Sequence, residues 1–352
     1  MTSHPARFIS SFDGARIAWA VSGKGPPVVL LPSWLTHLDH QRRSVAWRPW
    51  IEALEARYRL IRYDPRGCGL SDRSLENLSF EAWVRDLEAL VAALGLDRFS
   101  LIGTCQGGAV AIAYAGRNPA RVERLVLYGT YARGRERRGD PPTDPEKARV
   151  MLEMLRLGWA DPDHAFMRAF ATQFQPGGGI EHLQSWCALQ RHATSAENAV
   201  ALTRAMFDID VSAEAARIGC PTLVAHPARD AVAPVTEGRL LARLIPGAQY
   251  LELDSNNHFL RPDEPAWAGF LGTLTAFLPA APEGALAGLS PREREVLAQV
   301  ARGLANPAIA AGLGLSEKTV RNHVSAILQK LGCASRAQAV ARARDAGLGG
   351  AG

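Results

Sequence analysis

The spacing of apolar residues divides the chain into unlike parts. Up to Tyr128, short apolar runs alternate with helical patterns. Residues 8–11 and 16–21 flank Asp13-Gly14, a hairpin signal. Residues 28–31, 59–62, 99–103 and 124–128 read as short buried strands. Between the second and third of these, Trp83, Leu87, Leu90, Val91 and Leu94 share one face of a helix spanning 81–94. Buried strands alternating with helices predict a mostly parallel sheet covered on both faces. Strand signals stop between about 131 and 215. That stretch opens on a charged, Pro-rich run and continues with helical patterns rich in Met, Phe and Trp. They resume at 221–225 and 248–253, and a helix over 265–278 closes the unit. Residues 279–288, PAAPEGALAG, predict a linker. Everything after it is helical.

Composition narrows the function classes. Apolar residues make up 47% of the 352, enough for a sizeable core. No stretch approaches the roughly 18 to 20 continuous apolar residues of a membrane span. The N-terminal MTSHPARFISSFDG lacks the apolar core of a secretory signal. Five scattered cysteines argue for free thiols and a reducing cytoplasm, and their spacing matches no metal site. No cofactor is expected. Of the charged residues, 285–352 hold nine Lys/Arg and four Asp/Glu, which leaves 31 of each sign elsewhere. A neutral body with a basic tail suits nucleic acid at one end only, and a solvated basic face would give the same count.

Candidate chemistry centres on Gly103-Thr-Cys105-Gln-Gly107, which follows a strand and enters a helix. Glycines two residues either side fit a nucleophile on a sharp strand-to-helix turn, and the helix N-terminus favours a thiolate. A buried cysteine is also an ordinary small core residue. Asp230 follows the strand 221–225 and His258 the strand 248–253, in the order nucleophile, acid, base. Both stand at C-terminal strand ends, where an open α/β sheet places its site. Methionines 151, 154, 167 and 206 and the aromatics around them suit either an apolar ligand or the core of the helical insertion. The basic run 133–138 reads as a solvated loop.

With the elbow and with Tyr63-Asp64-Pro-Arg66-Gly67-Cys-Gly69-Leu-Ser71-Asp72, residues 8–278 resemble the α/β-hydrolase fold. The resemblance makes the insertion a helical cap and places an oxyanion hole at the backbone N–H groups of Trp34 and Gln106. Two features depart from the family. Cys105 stands where Ser is usual, and Pro32-Ser33 where His-Gly is usual. The resemblance therefore implies at most a slow Cys–His–Asp hydrolase, esterase- or thioesterase-like, with Cys105 as nucleophile. A degenerate pocket that only binds is the alternative.

The tail carries its own signature. Ser290, Pro291 and Glu293 form a capping box, Gly303 ends a first helix, and Asn306 is expected to cap a second beginning at Pro307. Gly314 makes the turn and Ser316 caps a third helix over 317–331. Val320, Val324, Ile327, Leu328 and Leu331 form its buried stripe, while Lys318, Arg321, Asn322, Ser325 and Gln329 lie opposite with no acid among them. Such a face suits a major groove. Over its whole length this segment resembles a LuxR-type helix-turn-helix domain of dimeric bacterial transcription regulators. By that resemblance Arg321, Asn322 and Ser325 face bases, and Lys318, Thr319 and His323 lie near phosphates.

Together these features predict an α/β-hydrolase-fold sensor at 1–278, with its cap at about 131–215, and a small all-α DNA-binding domain at 289–352. The expected molecule is a cytoplasmic, ligand-responsive regulator. Its expected partners are double-stranded DNA, a second copy of itself, and a small, largely apolar carbonyl, ester, lactone or thioester ligand, with no membrane. An active Cys-dependent esterase fused to a DNA-binding domain, and a Cys-based redox sensor with Cys68 as partner thiol, are the alternatives.

Overall fold

A computed structural model describes residues 5–138, 145–159, 165–279, 286, 288–345 and 348. Part of the Pro-rich run, at 139–144, and most of the expected linker, at 280–285 and 287, thus lie outside the described residues. The chain divides into two compact units, one holding nearly everything up to Leu278 and the other everything from Pro279.

The first unit is built on eight strands: β1 (Arg7–Ser10), β2 (Arg16–Ser22), β3 (Pro27–Leu30), β4 (Arg59–Tyr63), β5 (Phe99–Thr104), β6 (Val122–Tyr128), β7 (Thr222–Pro227) and β8 (Gln249–Leu253). They form one sheet in the order β1-β2-β4-β3-β5-β6-β7-β8. β2 is antiparallel to both β1 and β4, and β3, β5, β6, β7 and β8 run parallel to one another. Every residue of β5 is buried, as a strand covered on both faces requires. Helices α1 (Leu38–Arg43), α2 (Arg48–Glu55), α3 (Phe80–Ala93) and α4 (Gln106–Arg117) come before β6 or directly feed it. Between β6 and β7 come α5 (Pro145–Gly158), α6 (Ala165–Thr172), α7 (Ile180–Ala193), α8 (Ala196–Phe207) and the short α9 (Ser212–Ala215). α10 (Val235–Leu244) and α11 (Pro265–Phe277) complete the unit. This is the mixed sheet with helical cap of an α/β hydrolase.

The Asp-x-Arg-Gly stretch after β4 is a brace. Arg66, fully buried, grips Asp86 of α3 through Nε at 2.8 Å and Nη2 at 2.7 Å, and reaches Asp13 of the first hairpin at 2.7 Å. Asp64 accepts from Thr36 Oγ1 at 2.7 Å and from the backbone N–H groups of Leu38 and Leu70. Gly69, at φ +57°, has no room for a side chain: a Cβ there would lie 2.1 Å from the Asp64 carboxylate. The motif thus ties hairpin, loop and α3 together.

The second unit comprises α12 (Pro291–Ala301), α13 (Asn306–Leu313), α14 (Glu317–Lys330) and α15 (Arg336–Asp345). Val296, Leu297, Val300, Ile309, Val320, Ile327 and Leu331 form its core, with Val324 and Leu328 partly buried against it. The expected capping box is present, and Glu293 also pairs with Lys330 at 2.7 Å, fastening α14 to α12. Gly314 is left-handed at φ 63° and ends α13. Asn306 does not cap that helix. Ala305 occupies the N-cap and Asn306 is already helical, because its side-chain oxygen accepts from Arg336 Nη1 at 2.8 Å instead.

Two stability predictions follow from these anchors. Arg66→Ala strands two carboxylates, Asp86 in the core and Asp13 at its edge, and is expected to cost about 3–5 kcal/mol in denaturant unfolding. The apolar pair Arg66→Met with Asp86→Leu recovers much of that loss. In the second unit, Lys330 and the Ser290 N–H hold the Glu293 carboxyl down to about 2 from its ordinary 4.5. The carboxylate's contribution is therefore complete above about 4.5 and is lost as pH falls toward 2. Glu293→Gln should speed amide hydrogen exchange in α12 and α14 at neutral pH, and the difference from the parent should shrink across that window.

Candidate active site and DNA-binding face

The elbow between β5 and α4 is sharply bent. Cys105 sits at φ 52°, ψ −131°, and among the described residues no other non-glycine has a positive φ. The glycines around it are demanded by contact. A Cβ on Gly103 would lie 2.5 Å from Gly108, and one on Gly107 would lie 2.3 Å from the Pro32 carbonyl. Thr130 Oγ1 donates to the Cys105 carbonyl. Cys105 itself is 1% exposed.

Asp230 and His258 meet at the ends of β7 and β8. Asp230 Oδ1 accepts from the N–H groups of Val232 at 2.8 Å and Ala233 at 3.0 Å, which leaves Oδ2 for His258 Nδ1 at 2.6 Å. The backbone N–H of His258 donates to the Phe174 carbonyl of the cap at 2.8 Å. Burial opposes charge on the His258 ring. The Asp230 carboxylate outweighs it, with help from the neighbouring Cys105 thiol, and raises the ring to about 10. Burial likewise opposes the Asp230 charge, and the His258 ring keeps that carboxyl below its ordinary value. The thiol is close enough to influence the ring, yet Nε2 is buried without a hydrogen-bond partner. A second histidine, His226, lies 3.7 Å from Asp230 and bonds the Ala233 carbonyl at 2.9 Å, bracing the same turn. Nothing in the sequence pattern pointed to it.

Above Cys105 lies a cavity of about 530 Å³, counting its part open to solvent, walled by cap and core residues including Trp34, Phe170, Phe174 and Met206. Met167, Phe170, Phe174, Trp159 and Trp186 are largely buried packing, while Met154 is 48% exposed. Trp34 and Gln106 share the lining of a smaller adjoining hollow. The Trp34 indole is held by Thr203 Oγ1 at 3.1 Å, and Gln106 opens α4. The run 133–138 is not simply a solvated loop. Arg133 grips the buried Glu237 at 2.7 Å, and Arg135 and Arg138 line the cavity. The acid that recruits this run lies 104 residues away in sequence, so no local signal revealed it.

All five cysteines are free. Burial, with Asp64 nearby, pushes the Cys68 thiol up to about 12, which makes it a poor partner for thiol exchange. Among the described residues no cluster of His, Cys, Asp and Glu could hold a metal ion, and no helix is long and apolar enough to cross a membrane.

In the second unit, Lys318, Arg321, Asn322 and Ser325 are exposed along α14, while Thr319 and His323 are half-buried. Ser316 caps the helix by accepting from the Thr319 N–H at 3.1 Å, and its hydroxyl meets Thr319 Oγ1 at 2.8 Å. Lys318, Arg321, Asn322 and Ser325 thus share one side of the helix, opposite the buried Val320 and Ile327.

Residues 26–175 match the family described as alpha/beta hydrolase fold, and residues 287–343 match the bacterial regulatory proteins of the luxR family. The AB hydrolase superfamily protein YisY of Bacillus subtilis (strain 168) is 28% identical over 240 residues, 67% of this chain and 86% of that protein. The esterase RhEst1 of Rhodococcus sp. ECU1013 is 28% identical at a TM-score of 0.62, covering 77% of this chain and 98% of that one. An enol-lactonase of Burkholderia xenovorans LB400 is 26% identical at a TM-score of 0.62, covering 77% and 99%.

These relatives correct one expectation, that of a slow Cys–His–Asp hydrolase with a cysteine nucleophile. The fold and the relatives point to the Ser–His–Asp type, and nothing in them supports a cysteine-based mechanism. Ser100 lies five residues before the elbow, inside β5, where its buried hydroxyl has no hydrogen-bond partner. In this chain Asp230 and His258 form a buried hydrogen-bonded pair, and Cys105 stands at the turn from β5 into α4. It joins an N-terminal α/β-hydrolase domain to a C-terminal LuxR-type helix-turn-helix domain.

Proposed function

We propose that the chain is a cytoplasmic transcription regulator, acting as a homodimer, whose hydrolase-fold domain (1–278) takes up a small carbonyl compound of the ester, lactone or thioester type. The LuxR-type domain (289–352), joined through 279–288, reads double-stranded DNA. One observation supports this above the others: a capped cavity at Cys105, the neighbour of a buried His258–Asp230 pair, and an exposed basic, amide-bearing helix face belong to one chain. In this reading the ligand carbonyl oxygen lies against the backbone N–H groups of Trp34 and Gln106. His258 meets the ligand through Nε2, and Asp230 holds the ring in place. Cys105 contributes to the floor of the pocket. Occupancy alters the cap and so the spacing of two recognition helices, by a differential affinity for the two arrangements.

The names of the relatives favour a second reading, in which the same pocket hydrolyses its ligand. Turnover separates the two. With p-nitrophenyl butyrate and a panel of small lactones, sustained release of many product molecules per chain supports hydrolysis. That release should then fall at least about 100-fold in His258→Ala. Saturable binding without release supports sensing.

The DNA reading is tested on a site selected by the parent chain from a random-sequence pool. Arg321→Ala should cost about 1–3 kcal/mol on that site and relax preference at one base position. Lys318→Ala should weaken binding to all sequences alike and reduce the salt slope by about one. Parent-like titrations from both variants would contradict the placing of α14 in the groove.

A further inference from the structure

The cavity over the elbow is apolar on most sides but carries two guanidinium groups in its wall, those of Arg135 and Arg138. Arg138 lies in its wall beside Tyr131, on the same cavity as Cys105. Its Nε donates to the Arg133 carbonyl at 3.0 Å, and its guanidinium lies over the Tyr131 ring, 5.4 Å from the centroid. Among the described residues no carboxylate comes within ion-pairing distance of it.

Its neighbours differ. Arg137 pairs with Asp208 at 2.6 Å, and Arg133 with Glu237 at 2.7 Å. Glu237 is the carboxylate whose charge reaches Arg138, and it is already engaged by Arg133 through the backbone N–H, Nε and Nη2. A second polar residue belongs to the same wall: Tyr131 is 4% exposed, lines the cavity, and among the described residues its buried hydroxyl has no hydrogen-bond partner. Burial pushes the Arg138 pKa down, as expected of a charge withdrawn from water. Guanidinium nevertheless stays protonated. A half-buried cation and an orphaned hydroxyl on one wall are costly to the free protein, and an anion that accepts from both offsets that cost.

We propose that the ligand of this pocket carries a free carboxylate, which accepts from the Arg138 guanidinium and the Tyr131 hydroxyl while the ligand's carbonyl lies at the elbow. The inference rests on the small-ligand reading of the pocket and narrows it from a largely apolar compound to a carbonyl compound with an acid group.

Its test uses the full chain with laevulinate, a keto acid that cannot be hydrolysed, and with its neutral amide. Binding is followed by calorimetry and by the shift in melting temperature. The parent should bind the acid about tenfold more tightly than the amide, the size of a charge-assisted hydrogen bond. Arg138→Met should lose that preference and keep its affinity for the amide, and Arg138→Lys, which retains the charge, should keep part of it. Tyr131→Phe should weaken the acid alone. Equal binding of acid and amide by the parent would overturn the carboxylate assignment while leaving a small-ligand pocket. An undiminished preference in Arg138→Met would overturn it by placing the anion elsewhere. Failure of both compounds to bind would overturn it and count against the small-ligand pocket as well.

Discussion

The hydrogen bond from His258 Nδ1 to Asp230 Oδ2, 2.6 Å long and sealed from solvent, is the constraint around which the first domain is organised. A charged pair out of water is tolerated only when its remaining lone pairs and protons are satisfied. The turn after β7 supplies two N–H groups to Asp230, and His226 closes that turn from below. The cap supplies the Phe174 carbonyl to the His258 backbone, and Phe174 and Phe259 pack edge-on against the imidazole. Core and cap therefore meet at this pair. Because the ring's folded value lies near 10, above its ordinary 6.5, its contribution to stability is complete below about 6.5 and is lost as pH rises through about 10.

The two domains solve different problems with the same physics. In the first, buried ions are held in fixed networks, with Arg66 bracing the hairpin and α3, and Arg133 fastening the segment after β6 to α10. In the second, a small apolar core needs little ionic help beyond the Glu293–Lys330 pair and the caps. Its surviving charges are left in water along α14, where they cost nothing until a polyanion arrives.

Local periodicity made the strands and the tail legible. The central parallel strands carry apolar runs such as Val28–Leu30 and Leu125–Leu127, and each helix of the tail has an apolar stripe, so burial is written into local sequence. Asp230 and His258 were legible because strand ends are where an open sheet gathers its chemistry. Contacts between residues distant in sequence were not. The run from Arg133 to Arg138 looked like a solvated loop because its buried partner, Glu237, lies in α10. Asn306 looked like a cap because nothing nearby announced that Arg336 would claim its side chain. The elbow cysteine suggested thiol chemistry, yet neither fold nor relatives carry that further.

The organisation of the first domain depends on His258 being held charged beneath the cap by Asp230. Proton and nitrogen NMR of the full chain with labelled histidine measures this directly. The expected result is a far-downfield Nδ1 proton, with the ring still protonated at both nitrogens well above pH 7, and the signal lost in Asp230→Asn. A His258 ring that titrates near its ordinary 6.5, with no downfield proton, would contradict it.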